Sequence, residues 1–291
     1  MRGWQKGTEI GVRAIACALA LCLAAPLAHG GDRLAWTGGV SEVDGAAGGG
    51  LVPWALIAGL GTADEVGGSA FATGAETAHF DLKAAGLALG IDDRVELSYA
   101  RQRFGIGDVV PGVTLGQDIA GLKVKLVGDA VFDQDRWWPQ LAAGLLYKDT
   151  RDYAAVPQAL GARRGSGTEF YLAATKVWLG AAAGHNVLLD VTLRRSDANQ
   201  YGLLGFGGPN GAEWRPEASL VAWLSDRVLC GAEYRGKRGG LASPAEGPAH
   251  DVFIAFGPSR HVNLVLAYLD LGPVAFQPAQ RGTYLSVTVL R

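Results

Sequence analysis

Hydrophobic and polar residues alternate with a period of two along most of the chain after residue 30. The stretch VELSYARQRF, which begins at Val95, shows the pattern: Val95, Leu97 and Tyr99 lie on one side of an extended chain, and Glu96 and Ser98 lie on the other. This alternation is typical of a β-strand with one apolar and one polar face. The apolar face can cover the core of a soluble protein, or it can face lipid while the polar face lines a watery lumen.

The alternating segments are separated by clusters of Gly, Asp, Asn and Pro, which favour turns. They predict strands near residues 32–41, 50–61, 66–74, 78–90, 93–104, 117–129, 137–149, 167–180, 185–197, 213–224, 226–237, 249–257, 260–271 and 281–291. Counting the weak first segment gives fourteen strands. Twelve strands remain if the N-terminal pieces form a plug or a dangling arm.

The links between these segments alternate in length, which distinguishes a membrane barrel from a soluble sandwich. The short links are 61–66, 90–93, 179–185, 225–226 and 257–260, and the long ones are 105–116, 149–167, 197–212, 237–250 and 272–280. The link 131–136 is intermediate, and 74–77 is shorter than its place in the series predicts. Short periplasmic turns and long extracellular loops are typical of outer-membrane barrels. The fold class predicted is therefore all-β, a transmembrane antiparallel β-barrel of about 12–14 strands that closes because lipid cannot satisfy an open sheet edge.

Charged residues recur in the middle of the predicted strands, on the side away from the apolar residues. A bare Lys or Arg facing lipid at the midplane would cost about 2–4 kcal/mol, so the charged side is expected to face the lumen. The candidate lumen-lining residues are Glu96, Lys123, Lys125, Asp190, Arg194, Glu233 and Arg235. They carry charges of both signs and could pair with one another.

Aromatic residues near the strand ends are candidates for the two interfacial girdles, where an amphipathic ring keeps one edge in water. These are Trp54, Trp137, Trp138, Tyr147, Tyr171, Trp178, Trp214, Trp223, Tyr268 and Tyr284. We expect about half of the ten to be girdle residues and the others to pack inside the lumen.

Residues 1–30 have the layout of a secretory signal peptide. A basic start with Arg2, Lys6 and Arg13 precedes an apolar run, and Ala28 and Gly30 supply small residues before a cut ahead of residue 31. Cleavage would leave residues 31–291 as a single barrel domain exported to the outer membrane of a Gram-negative bacterium. It would also leave Cys230 as the one remaining cysteine, so no internal disulfide is expected.

Composition and motifs offer little support for catalysis. The chain has 43 glycines, one methionine and a formal net charge of −2, which favours strands and turns and argues against a nucleic-acid partner. The glycines of 205–208 lack the βαβ context of a dinucleotide site. Asp133 and Asp135 fall short of a calcium loop. No Ser, His and acid are placed together by their spacing. We therefore predict no cofactor, no metal and no catalytic residues.

Several stretches resemble an uncharacterised Gram-negative outer-membrane family, the domain of unknown function 3034. They are DGAAGGGLVPWALIAG (44–59), DRVELSYARQRF (93–104), LGQDIAGLKVKLVGDAVFDQDRWWPQ (115–140), GTEFYLAATK (167–176), ANQYGLLGFGG (198–208), LCGAEYR (229–235) and RGTYLS (281–286). The resemblance implies an outer-membrane β-barrel without an assigned substrate, and it carries over no catalytic residue.

Three functions stay open from the sequence. The leading hypothesis is a passive, porin-like channel for small solutes, with selectivity set by lumen charges. The alternative is a structural or partner-binding barrel whose lumen is filled by side chains and by residues 31–48, and the third is an outer-membrane enzyme. The long loops 149–167 and 197–212 either fold inward over the lumen or remain surface loops. The expected partners are outer-membrane lipids, the barrel assembly machinery and a small solute, and the sequence leaves the oligomeric state open.

Overall fold

The computed structural model describes Arg33, residues 35–209, residues 211–237, Leu241 and residues 246–291. The signal peptide predicted over residues 1–30 lies outside the described residues and stays a prediction.

Twelve antiparallel strands close into a barrel in which each strand pairs with its neighbours in sequence, and the last strand pairs with the first. A small hairpin of β1 (Val40–Ser41) and β2 (Ala47–Gly48) precedes them. The barrel strands are β3 (Val66–Thr77), β4 (Asp81–Ile91), β5 (Val95–Gly105), β6 (Thr114–Val127), β7 (Gln140–Thr150), β8 (Ser166–Ala182), β9 (His185–Ser196), β10 (Glu213–Ser225), β11 (Val228–Arg235), β12 (Ala249–Ser259), β13 (Val262–Asp270) and β14 (Arg281–Leu290).

The two faces of each strand meet different surroundings. On β5, Leu97 is 46% exposed and Tyr99 is 39% exposed on the outside, whereas the inward Glu96 is 1% exposed. The other strands repeat this arrangement with an outer face rich in leucine, valine and aromatic residues. An apolar exterior around a polar interior is the arrangement that a lipid environment requires. The predicted transmembrane antiparallel barrel is confirmed.

The strand count corrects part of the sequence interpretation. The segments 32–41 and 50–61 were expected as wall strands, but the described residues of both lie inside the barrel. Residues 51–60 form an almost continuous apolar run, which suits a segment buried on every side, whereas a wall strand needs alternation. The twelve-strand alternative with an N-terminal plug is therefore the right one.

The two ends of the barrel differ in the length of their connections. One end carries the turns 92–94, 183–184, 226–227 and 260–261 together with the longer turn 128–139, and the other carries the loops 106–113, 151–165, 197–212, 236–248 and 271–280. The connection 78–80 is the short exception at the second end. We call the first end periplasmic and the second extracellular. None of the described helices has the length and apolarity to cross a membrane.

Candidate functional site

The predicted lumen-lining residues lie on the inner face of the barrel, with one at its edge. Glu96, Lys123, Asp190, Arg194, Glu233 and Arg235 are at most 3% exposed. Lys125 is half-buried at the periplasmic end, where its ammonium group pairs with Asp93 of the turn 92–94. The interior charges do not line an open water path, because protein atoms cover them.

The covering atoms belong to the chain's own N-terminal part, which we call the luminal segment (Arg33 and residues 35–60). Every residue from 36 to 60 is buried, and the barrel wall separates all of them from lipid. The segment enters at the periplasmic end, where Arg33 pairs with Asp93 and donates a hydrogen bond of 2.9 Å to the carbonyl of Ile57. It turns at residues 42–46 and returns to the periplasmic end before β3 begins at Val66. The luminal segment is thus a hairpin that fills the lumen from the periplasmic side.

One buried ion pair on the wall holds both legs of this hairpin. The ammonium group of Lys123 lies 3.1 Å from Glu96 and donates bonds of 2.8 Å to the carbonyls of Ala47 and Leu56. The carboxylate of Glu96 accepts the backbone N–H groups of Ala47 at 3.2 Å and Ala58 at 2.9 Å. Because the pair satisfies donors and acceptors from both legs, it fixes the separation and register of the legs inside the barrel.

Other polar side chains of the wall bind the rest of the segment. The bonds run from the Leu51 N–H to Glu233 Oε2 at 2.7 Å, from the Ala55 N–H to Thr175 Oγ1 at 2.7 Å, from Trp54 Nε1 to Ser219 Oγ at 2.9 Å, and from Gln140 Nε2 to the Ala55 carbonyl at 2.6 Å. Gly49 lacks a side chain where Glu233 passes, since a Cβ there would lie 1.9 Å from Glu233 Oε1. These contacts account for backbone groups that would otherwise be buried without partners.

A larger charge network surrounds the tip of the hairpin. Glu42 lies 3.1 Å from Arg194 and 3.2 Å from Arg235, and Asp44 lies 2.6 Å from Arg235 and 2.8 Å from Lys148. The same cations also contact wall carboxylates: Arg194 lies 2.7 Å from Glu217 and 3.3 Å from Glu169, and Lys148 lies 2.9 Å from Glu169. All seven groups are at most 2% exposed. The network holds four carboxylates and only three cations, so removal of Lys148, Arg194 or Arg235 would leave a buried carboxylate without its partner, which costs about 3–5 kcal/mol.

The extracellular end is closed by the loop 197–212, which folds inward and which we call the extracellular cap. Residues 198–208 are buried, and a short 3₁₀ turn, Gln200–Gly202, lies above the hairpin tip. Lys148 donates a bond of 3.1 Å to the carbonyl of Tyr201, which connects this loop to the charge network. Gln200 and Tyr201 have φ of +44° and +60°, values that non-glycine residues adopt at a cost and that the surrounding contacts must hold. Of the two alternatives for this loop, the inward fold is the correct one.

Residues of the loop 236–248 form hydrogen bonds with the extracellular cap. The ammonium group of Lys237 donates bonds of 2.7 Å to Gln200 Oε1 and to the carbonyl of Leu271, and the carboxylate of Glu246 accepts the Gln200 N–H. Burial lowers the pKa of Lys237 to about 8, although the charge of Glu246 acts in the opposite direction. Burial also raises the pKa of Glu246. Lys237 and Glu246 are therefore two titratable groups that contact the extracellular cap from outside the membrane-spanning strands.

The ten candidate girdle aromatics divide between the outside and the inside. Six are exposed on the outside, at the periplasmic end (Trp137, Trp138, Trp178) or toward the extracellular end (Tyr147, Trp214, Tyr268). Trp54, Tyr171 and Tyr284 are buried in the interior, and Trp223 is half-buried against the inner apolar cluster. These four candidates are therefore not girdle residues, in line with the expectation that only part of the ten would face outward.

The reasons for these four differ. Trp54 belongs to the luminal segment and not to a wall strand, whereas the other three project inward from their strands. The ring of Tyr171 lies 5.3 Å from the guanidinium of Arg194. It fits there because residue 144 is a glycine, since a Cβ at that position would lie 2.1 Å from the ring. Aromatic type and nearness to a strand end do not fix the face on which a ring lies.

Five residues of the charge network were not among the predicted site residues: Glu42, Asp44, Lys148, Glu169 and Glu217. Lys148 and Glu169 alternate with the outward residues Tyr147 and Phe170, so the same period-two rule applied to β7 and β8 would have found them. Glu42 and Asp44 carry no such signal, because their segment is not a wall strand.

Comparisons with solved structures find barrels of low similarity. The NanC porin is 7% identical, with 76% of this chain and 98% of that chain covered and a TM-score of 0.48. The COG4313 outer membrane channel from Pseudomonas putida F1 is 13% identical, with 79% and 95% covered and a TM-score of 0.43. Omp33 of Acinetobacter baumannii is 6% identical, with 77% and 96% covered and a TM-score of 0.42. We draw no functional argument from similarity at this level. No curated protein matches the chain.

One family comparison covers most of the sequence. The model of a family described as a protein of unknown function, DUF3034, matches residues 37–288. The match includes nearly the whole luminal segment as well as the barrel, so both parts lie within the family's common sequence. The chain belongs to the DUF3034 family.

Proposed function

We propose that this protein is an outer-membrane barrel closed by its own N-terminal segment, and that it acts as a structural or partner-binding barrel with a filled lumen. The single observation that carries the proposal is the burial of residues 36–60 inside the barrel. An outer-membrane location is supported by the apolar exterior and by the short and long connections at opposite ends. The passive, porin-like channel, which was the leading hypothesis from the sequence, takes second place.

The size of one cavity inside the described part of the barrel favours the closed state. A cavity of about 50 Å³ lies between the luminal segment and the extracellular cap, beside Phe80, Tyr201 and Tyr284. Since a single water needs roughly 10–15 Å³, this cavity holds a few waters at most. A hydrated solute does not fit in it.

A channel that opens by movement of the luminal segment is the second candidate. The segment is held by hydrogen bonds and ion pairs, and both its ends lie at the periplasmic mouth, so withdrawal requires no threading of the chain. Withdrawal would expose a wall that carries Lys148, Arg194 and Arg235 beside acidic groups. A charged wall of this kind would set the selectivity of the opened lumen.

Planar-bilayer recording of the mature chain tests the proposal. The full chain is expected to give no conductance steps, and a chain that lacks residues 40–58 is expected to conduct stepwise, because the deletion removes the filling. Retention of the heat-modifiable band on a gel controls for barrel formation. Frequent steps from the full chain would contradict the closed barrel.

The paired variant Glu42→Gln/Asp44→Asn separates the two candidates. It weakens the contacts at the hairpin tip without shortening the chain. Brief openings that are rare in the natural chain and frequent in this variant would support the channel. A silent variant alongside a conducting deletion would support the structural barrel.

A further inference from the structure

The outer face of β4 and β5 carries three cations directly above its apolar part. Lys83, Arg101 and Arg103 are exposed and point outward near the extracellular ends of the two strands. Closer to the periplasm, the same face consists of Leu87, Leu89, Leu97 and Tyr99. From Val95 to Arg103 the chain advances about 27 Å along the strand, or about 20 Å along the barrel axis after tilt, which approaches the height of a barrel's apolar band. The cations therefore lie at the level of the outer-leaflet headgroups.

Two of these cations are direct cross-strand partners. Lys83 of β4 pairs in register with Arg103 of β5, and Arg101 is the next outward residue on β5. Like charges at directly opposite positions destabilise a sheet unless an anion lies between them. Neither Lys83 nor Arg103 forms an ion pair with a carboxylate of the described residues.

The third cation shares its acidic partner. Arg101 Nε lies 2.8 Å from Asp118 Oδ1, and Arg151 pairs with the other oxygen of the same carboxylate. The Tyr99 hydroxyl donates a bond of 2.6 Å to Asp118. One carboxylate thus serves two arginines. Arg101 Nη2 also donates a bond of 3.2 Å to the Tyr99 hydroxyl, and Arg101 Nη1 has no hydrogen bond among the described residues.

The nearest other acids lie beside the group and not between its members. Glu76 and Asp81 pair in register one step closer to the extracellular turn 78–80, and Asp149 lies opposite Asp118 on the side away from Lys83. Glu76 and Asp81 therefore border the group of three cations on its extracellular side, and Asp149 lies beyond it on the side of β7. Among the described residues, none of these acids comes within ion-pair distance of Lys83 or Arg103.

We propose that Lys83, Arg101 and Arg103 bind the phosphate group of an outer-leaflet lipid, with Tyr99 against its acyl chain. Phosphate oxygens accept several charge-assisted hydrogen bonds, and guanidinium groups match them in pairs. A lipid phosphate would neutralise the opposed Lys83 and Arg103, and its acyl chains would continue down the apolar face of the same two strands. This site goes beyond the closed barrel and rests only on the outer-membrane location proposed above.

Lipid binding to the purified mature chain, measured by native mass spectrometry, tests the site. The probes are diphosphorylated lipid A, the same lipid without its phosphates, and inorganic phosphate as a competitor. The variant Lys83→Gln/Arg103→Gln should bind the phosphorylated lipid about tenfold more weakly, since it loses charge-assisted bonds. The control Arg195→Gln/Arg281→Gln removes two outward cations from other strands near the same end and should bind like the natural chain.

Two results would overturn the inference. Equal binding by the Lys83→Gln/Arg103→Gln variant and the natural chain would show that the patch does not take up the lipid. Loss of lipid binding with inorganic phosphate at equal concentration would show that the site takes free phosphate and not a lipid. A heat-modifiable band in every variant shows that the barrel has formed, so failure of this site stays distinguishable from failure of the membrane assignment.

Discussion

The substitution Lys123→Met tests whether the wall holds the luminal segment as described. It removes the bonds to the Ala47 and Leu56 carbonyls and leaves the carboxylate of Glu96 buried without its cation. Removal of one partner of a buried pair costs about 3–5 kcal/mol. Since 1.4 kcal/mol is a factor of ten, release of the segment should become roughly 10²- to 10⁴-fold more frequent.

Hydrogen exchange of two backbone amides reports this release. The N–H groups of Ala47 and Ala58 donate to Glu96 inside the barrel, so they exchange only when the segment leaves the wall. In the Lys123→Met variant their exchange should accelerate by the factor given above, while amides of the wall strands keep their slow exchange.

Lys125→Met is the matched control on the same strand. Lys125 pairs with Asp93 at the rim, where solvent weakens the interaction, so its removal should change the exchange of the Ala47 and Ala58 amides by no more than about tenfold. Unchanged exchange in Lys123→Met would refute the reasoning, as would an equal acceleration in both variants.

Three further outcomes follow from the structure. Leu97→Arg places a charge on the lipid face and should lower the free energy of unfolding in phospholipid vesicles by about 2–4 kcal/mol, measured by denaturant titration; unchanged stability would argue against a lipid face. Trp54→Ala should lower the same quantity by about 3–5 kcal/mol, because it empties part of the lumen and removes the bond to Ser219; a surface-like loss below 1 kcal/mol would contradict the buried position. The pKa of Lys237 near 8 lies below its ordinary 10.5, so the folded state binds fewer protons between those values and stability should rise with pH across that window. Lys237→Met should lack this rise, and a flat curve for the natural chain would show that the group is not buried.

The sequence predicts the wall of the barrel well because the rule for a wall strand is local. On β5 the polarity of each side chain is enough to predict its face. Glu96 is therefore placed inside and Leu97 outside without any knowledge of the residues that contact them. The alternation of connection lengths is also local, and the five long loops do lie together at one end of the barrel. The apolar run 51–60 was misassigned because apolar residues at every position fit a strand or any fully buried segment.

The contents of the lumen could not be predicted in the same way. The ion pairs of Glu42 and Asp44 join residues more than 100 positions apart, and nothing near these two acids indicates their partners. The direction of Tyr171 likewise depends on the glycine at position 144 of the neighbouring strand. Only the alternative of a filled lumen anticipated this arrangement, and among the described residues the filling continues past residue 48 to residue 60.

A disulfide between the luminal segment and the wall tests the central claim most directly. A Cβ at Gly45 would lie 3.1 Å from that of Ala100, within a few tenths of an ångström of the usual disulfide span of about 3.5–4.5 Å. The φ of +106° at Gly45 adds a strain of about 1–3 kcal/mol for cysteine there.

The measurement uses membranes that contain the Gly45→Cys/Ala100→Cys chain in a Cys230→Ser background, with Gly45→Cys/Tyr99→Cys as the control, because the Tyr99 side chain points outside. The account predicts that oxidation links the first pair and leaves the second unlinked. Free thiols at both positions of the first pair, in a folded barrel, would contradict a lumen filled by the N-terminal segment.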